Sequence, residues 1–237
     1  MNGPVGFYPE HPARLRSTLD SHIGRSRLGL DPGLLLYPQH PLSEAGRLLG
    51  ELFRSVDISR DIVVVSPYDG NDIMTMTGEL KTPIGTMDVD DMAARYLCRT
   101  GPCEMAPRRI GQIAGPYLTA IMLQATGWDG AVLPIGIPRD LGTVPDELLD
   151  VCEGVTVCLT ADMSHGDSRE TVQVQDRELL GALEDGQVPA DIPLRDRSAY
   201  RVCALLDRSA GLRRFGHSTV RTDGGYTGIG AVCTDML

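Results

Sequence analysis

The sequence predicts a single α/β domain with a central, mostly parallel sheet flanked by helices, and three observations carry that prediction. Short, continuous apolar runs recur at residues 34–37, 62–65, 131–135 and 155–159, with the length and composition of strands buried on both faces. Segments of helical periodicity lie between them, so strand and helix alternate along the chain. Several of the runs spill at once into polar residues, and the carboxyl ends of buried parallel strands are where α/β folds bind ligands.

In chain order, Leu15, Leu19 and Ile23 share one face of a helix over residues 12–23. The run at 34–37 stops at Pro38-Gln39-His40-Pro41. Residues 43–56 then form an amphipathic helix with Leu48, Leu49, Leu52, Phe53 and Val56 inward. The strand at 62–65 exits through Ser66-Pro67-Tyr68-Asp69-Gly70. Residues 73–80 and the turn Thr82-Pro83-Ile84-Gly85 read as a β excursion, after which Asp88 is expected to cap a helix reaching about Leu97. A loop is expected over 100–107, a helix interrupted near Gly115-Pro116 over 110–125, and a short helix over 145–152. The strand at 155–159 leads through Asp162, Ser164 and His165 into a helix over about 169–183. A loop at 186–193 and a helix at 198–208 follow. The chain closes on a hairpin, 218–222 and 226–232, around Asp223-Gly224-Gly225. No repeat or linker interrupts the 237 residues, which read as one domain.

Composition narrows the function. A formal charge of −10 argues against a general nucleic-acid binder, which needs a basic face. No apolar run approaches the roughly 20 residues that span a bilayer, and the opening residues lack the layout of a signal peptide. The expectation is therefore a cytoplasmic protein acting on a small-molecule substrate, with neither nucleic acid nor membrane as partner; monomer and homo-oligomer stay equally open. Six cysteines in such a chain are not a disulfide framework. Cys152, Cys158, Cys203 and Cys233 sit among apolar residues and read as buried thiols. Cys98 and Cys103 are spaced like half a zinc knuckle, and no second pair answers them.

A histidine beside a carboxylate at a strand exit is a candidate proton carrier near neutral pH. His165 and Asp162 fit that description, with capping of the turn as the alternative. Ser164 is adjacent to His165, but neighbouring residues seldom face each other as nucleophile and base.

Taken in order, the motifs resemble the Memo family, whose fold is shared with class III (LigB-type) extradiol dioxygenases. Gly6-Phe7-Tyr8-Pro9 is similar to the family's opening Gly-x-Phe-Tyr-Pro, and Tyr37-Pro38 through Gly46 to its Pro-His-Ala-Gly-Tyr segment. Thr82-Pro83-Ile84-Gly85 with Val89-Asp90, then Leu133-Pro134-Ile135, resemble two further elements, and Ala161-Asp162-Met163-Ser164-His165 resembles Ser-Asp-Leu-Ser-His. The resemblance implies a metal site whose ligand positions fall here on Gln39, on Asp69, and near Arg197 or Ser198. A Glu-His-Ser element falls on Arg108-Arg109-Ile110. Gln and Arg are poor ligands for Fe(II), which takes two imidazoles and a carboxylate. The histidine that His165 resembles is, in LigB-type enzymes, an acid–base residue and not a ligand.

The leading expectation is thus a metal-independent acid–base enzyme with no cofactor, performing cyclisation, isomerisation, elimination or hydrolysis. His165, Asp162 and Asp69 are its expected catalytic residues. Gln39, His40, Tyr68, Arg109 and Arg197 are expected to bind substrate, the arginines through an anionic group. Two alternatives stand beside it: a rebuilt metal site from His40, Asp69 and His165, and a non-catalytic binding protein that kept the fold.

Overall fold

A computed structural model describes residues 3–23, 29, 31–206, 212–222 and 224–235. The elements run Pro12–Ile23 (α1), Pro32–Tyr37 (β1), Leu42–Ser55 (α2), Ile62–Tyr68 (β2), Ile73–Thr75 (β3), Glu79–Thr82 (β4), Gly85–Asp88 (β5), Asp91–Thr100 (α3) and Cys103–Met105 (β6). Pro107–Ile110 (α4), Ala114–Thr126 (α5), Val132–Pro138 (β7), Asp146–Asp150 (α6), Thr156–Thr160 (β8) and His165–Gly166 (β9) follow. Arg169–Glu184 (α7), Arg197–Leu206 (α8), Leu212–Thr222 (β10) and Gly225–Asp235 (β11) complete the order.

The main sheet has the order β10-β11-β1-β8-β2-β7-β3-β6, with β9 added against β11, while β4 and β5 form a separate hairpin. Its centre is parallel, β1 with β8, β8 with β2 and β2 with β7. Antiparallel neighbours flank it, β11 beside β1 and β3 beside β7. The fold is α/β, as the alternation of elements predicts.

Period two explains why the apolar runs are continuous. Leu35, Tyr37, Ile62, Val64 and Cys158 face a cluster with α1, α2 and α5. Leu34, Leu36, Val63, Val65, Val157 and Leu159 face the opposite one, with α3, α6, α7 and α8. The central strands therefore carry uninterrupted apolar stretches facing both ways, and helices cover both faces. Cys152, Cys158, Cys203 and Cys233 are buried, as expected.

Several local expectations are corrected. Asp90, not Asp88, caps α3, its carboxylate accepting from Met92 N and Ala93 N; Asp88 is occupied opposite Glu79 in the β4–β5 hairpin. The segment at 100–107 is not all loop, because β6 pairs in parallel with β3 and α4 begins at Pro107. The break in the 110–125 helix comes at 111–113, and Pro116 sits in the first turn of α5, where its missing N–H costs nothing. The closing hairpin is longer than its apolar alternation indicates and joins the main sheet. Asp223 and Arg208 lie outside the described residues. No helix among the described residues is long and apolar enough to cross a membrane.

Candidate active site

The carboxyl ends of β1, β8, β2 and β7 lie side by side, so their exit residues meet along one edge of the sheet. Thr160 Oγ1, at the end of β8, lies 2.8 Å from Ser66 Oγ and 3.1 Å from Gln39 Oε1. This buried polar step ties three strand exits together. Gly115, in the first turn of α5, packs directly on it: a Cβ there would overlap Ser66 Oγ and Thr160 Oγ1. The glycine lets the helix start settle on the strand ends.

Above the step opens a cleft of about 310 Å³, walled by Gln39, Tyr68, Asp69, Arg109, Gln112 and Arg139. A second hollow of about 340 Å³ shares Tyr68, Asp69 and Arg139 and continues over the loop at Gly70 and Asn71. Two guanidinium groups dominate the first cleft. Arg109 donates to Glu104 Oε2 at 2.8 Å, to Asp72 Oδ2 at 3.2 Å and to Tyr68 Oη at 2.7 Å, and it lies over the Tyr68 ring at 5.5 Å. Arg139 donates from Nε to Asp69 Oδ1 at 2.8 Å and from Nη1 to the buried Asp196 carboxylate. Arg195 approaches Asp69 from the other side at 3.6 Å. Each cleft guanidinium is held by two carboxylates and still has N–H groups to spare from its five. The cleft therefore presents fixed donors, not an excess of positive charge, which suits a compact polar ligand carrying a carbonyl or carboxylate oxygen.

Behind the cleft runs a chain of charged groups. Asp196 Oδ2 accepts from Asp162 N at 3.0 Å. Asp162 Oδ2 lies 3.2 Å from His40 Nε2, and His40 Nδ1 lies 2.9 Å from Glu44 Oε2. The other Asp162 oxygen, Oδ1, is buried with no hydrogen-bond partner. Burial alone lowers the His40 pKa, but the hydrogen bond and charge of Asp162, then those of Glu44, outweigh it and hold it at about 9. Burial pushes the Asp196 carboxyl up to about 6, against the pull of Arg139 and with a further push from Asp162.

His40 thus binds its proton more tightly folded than unfolded. Its contribution to stability is complete below pH 6.5 and is lost as pH climbs toward 9. Urea melts of the wild type across that window are expected to show falling stability, and His40→Gln is expected to flatten the slope.

The structure places Gln39, Tyr68, Asp69 and Arg109 around one cleft. His40 and Asp162 pair with each other just behind it. His165 is placed elsewhere. It lies exposed on β9, opposite Thr227 of β11, with β1 and β8 standing between β11 and the strands that carry Tyr68 and Arg139. The main-chain bonds Met163 N to Gly228 O and Gly228 N to Ser164 O draw the segment after Asp162 toward β11 and away from the cleft. The expected convergence of His165 with Gln39 and Asp69 is corrected on that ground. Arg197 is corrected too, since its guanidinium donates to the carbonyls of Pro189, Ala190 and Ile192 and serves as a clamp for that loop.

Ser164 is engaged by a carboxylate, its Oγ 2.6 Å from Asp176 Oδ1. Among the described residues no three His, Cys, Asp or Glu side chains are grouped to hold a metal. His40, Asp69 and His165 therefore do not assemble as the alternative ligand set.

Arg139, Gln112 and Asp196 were not anticipated. Arg139 follows β7 directly, and extending the apolar run through Gly136 and Pro138 would have marked it as a strand exit. Asp196 carries no comparable signal, because it reaches the site from a loop.

No protein-family model matches the chain, and no curated protein matches it. Among solved structures, an uncharacterized protein from Escherichia coli is similar in fold, with a TM-score of 0.53 at 12% sequence identity over 84% of this chain and 98% of that one. At that identity the similarity establishes the architecture alone.

Proposed function

We propose that the chain is a small-molecule enzyme working by proton transfer, without a bound metal, on a scaffold related to the Memo and LigB-type proteins. The observation that supports this most directly is the pairing of an exposed carboxylate, Asp69, with fixed guanidinium donors in a cleft at the strand exits. In this reading Asp69 is the general base that takes a proton from the bound substrate. Arg139 and Arg109 hold a carbonyl or carboxylate oxygen and stabilise the negative charge that develops there. Gln39 and Tyr68 shape the remaining wall. Cyclisation, isomerisation, elimination and hydrolysis all fit this division of labour. His40 and Asp162 act one layer back, Asp162 fixing Asp196 through its main-chain N–H and Asp196 fixing Arg139.

The test starts from chelator-treated protein incubated with a small-molecule cell extract, with depletion and product formation followed by mass spectrometry. Depletion without added metal is expected, and Asp69→Asn is expected to slow it by about 100-fold while circular dichroism stays unchanged. A requirement for added Fe(II), with Asp69→Asn fully active, would overturn the reading. The binding-protein alternative draws on the fact that Asp69 already has two arginine partners. It predicts capture of a metabolite that is returned unchanged.

A further inference from the structure

Cys98 lies in the last turn of α3, and Cys103 opens β6; both are half-buried, whereas the other four cysteines lie in the core. Their sulfur atoms are 3.6 Å apart, at the two ends of a short turn through Gly101 and Pro102. Two main-chain bonds hold that turn, Gly101 N to Leu97 O and Cys103 N to Gly101 O. A disulfide needs the sulfurs at about 2.05 Å, so closure brings them roughly 1.5 Å nearer.

The surroundings give the pair a second significance. Cys103 is the register partner of Ile73 across β6 and β3. The residues beside these two, Glu104 and Asp72, are the carboxylates that orient Arg109. We propose that Cys98 and Cys103 form a reversible dithiol–disulfide site whose reaction partner is a low-molecular-weight disulfide, and that closure of the bond shifts the Glu104 and Asp72 supports of Arg109. The inference stands on the sulfur geometry and does not require the reaction proposed for the cleft. Disulfides of this kind in reducing compartments are transient and redox-sensing.

The step balances as thiol–disulfide exchange. Cys103 Sγ donates to the main-chain oxygen of Glu104 at 3.8 Å, and burial pushes its thiol up, so first attack falls to Cys98. Its thiolate displaces one thiol from the small disulfide and forms a mixed disulfide. Cys103 then loses its proton, attacks the Cys98 sulfur and releases the second small thiol. The protein loses two protons and two electrons, and one small disulfide becomes two thiols.

The test is incubation of the whole chain with graded ratios of oxidised to reduced glutathione, followed by intact mass and non-reducing peptide maps. The expected product has lost two hydrogen atoms, carries one bond between Cys98 and Cys103, and reverts with dithiothreitol. Cys103→Ser should trap a single glutathione on Cys98, while Cys98→Ser should form its adduct at least tenfold more slowly. Hydrogen exchange should change at residues 104–110 on oxidation and stay the same in residues 169–184. Disulfides spread over the core cysteines, linkage between chains, or a pair left reduced at ratios that oxidise a simple dithiol would overturn the site. Unchanged exchange at 104–110 would overturn the link to Arg109.

Discussion

Asp176→Ala is expected to lower the folding free energy by about 3–5 kcal/mol, the cost of removing one member of a buried, charge-bearing network. Asp176 is fully buried on α7 and serves three donors at once. Its Oδ1 accepts from Ser164 N at 2.9 Å and from Ser164 Oγ at 2.6 Å, and its Oδ2 meets His217 Nε2 at 2.5 Å. These partners come from the segment before β9 and from β10, so one carboxylate pins the closing hairpin to the helix. Gly228 completes the arrangement, because a Cβ at that position would overlap the carboxylate. Alanine at 176 leaves the Ser164 N–H without its acceptor in a fully buried position, and leaves the hydroxyl only the Val172 carbonyl at 3.2 Å. Replacing His217, whose side chain is 27% exposed, is expected to do less, since solvent reaches the vacated side. Urea unfolding of both variants checks the order.

Arg139→Met is expected to damage stability and ligand capture together, with a pH dependence that identifies the cause. The substitution keeps most of the side-chain volume and removes the guanidinium between Asp69 and Asp196. Asp196 is 1% exposed, so its ionised carboxylate would be left with little compensation, at a cost of about 3 kcal/mol. That cost applies where Asp196 is charged. With the lowering influence of Arg139 gone, its pKa climbs beyond about 6, the group takes up a proton, and the penalty shrinks in mild acid. The variant is therefore expected to be much less stable than wild type at pH 8 and closer to it at pH 5. Binding of any ligand that uses the Arg139 donors should weaken at least tenfold, about 1.4 kcal/mol, at both values. Denaturation at the two pH values, with calorimetry on the captured metabolite, measures both effects. Equal destabilisation at both would place the loss in packing and not in Asp196.

The architecture was legible because its strands bury both faces. Leu34 to Leu36, Ile62 to Val65 and Val157 to Leu159 are apolar without interruption, and few other environments hold such runs. The Glu79–Asp88 hairpin hid the true cap of α3, since three aspartates crowd residues 88–91 and only tertiary pairing separates them. What the alternation left out was the start of β10. Gly216 breaks the pattern ahead of residue 218, yet it sits where the Leu48 side chain of α2 presses close.

For the site, the strand exits announced Gln39, Tyr68 and Asp69. His165 shows the limit of that reasoning. A polar turn after a strand marks where a ligand site is built, but which way the chain then bends depends on a partner far along the sequence. Here that partner is β11.

The position of β11 also bears on how the protein is made. Among the described strands β1 is translated first, and the neighbour on its outer edge, β11, is translated last. Throughout synthesis, Leu34, Leu35 and Leu36 present an unsatisfied ladder to the crowded nascent environment. An insertion beside β11 would burden the strand that docks late between β10 and β1, whereas one ahead of α1 would leave that docking step alone.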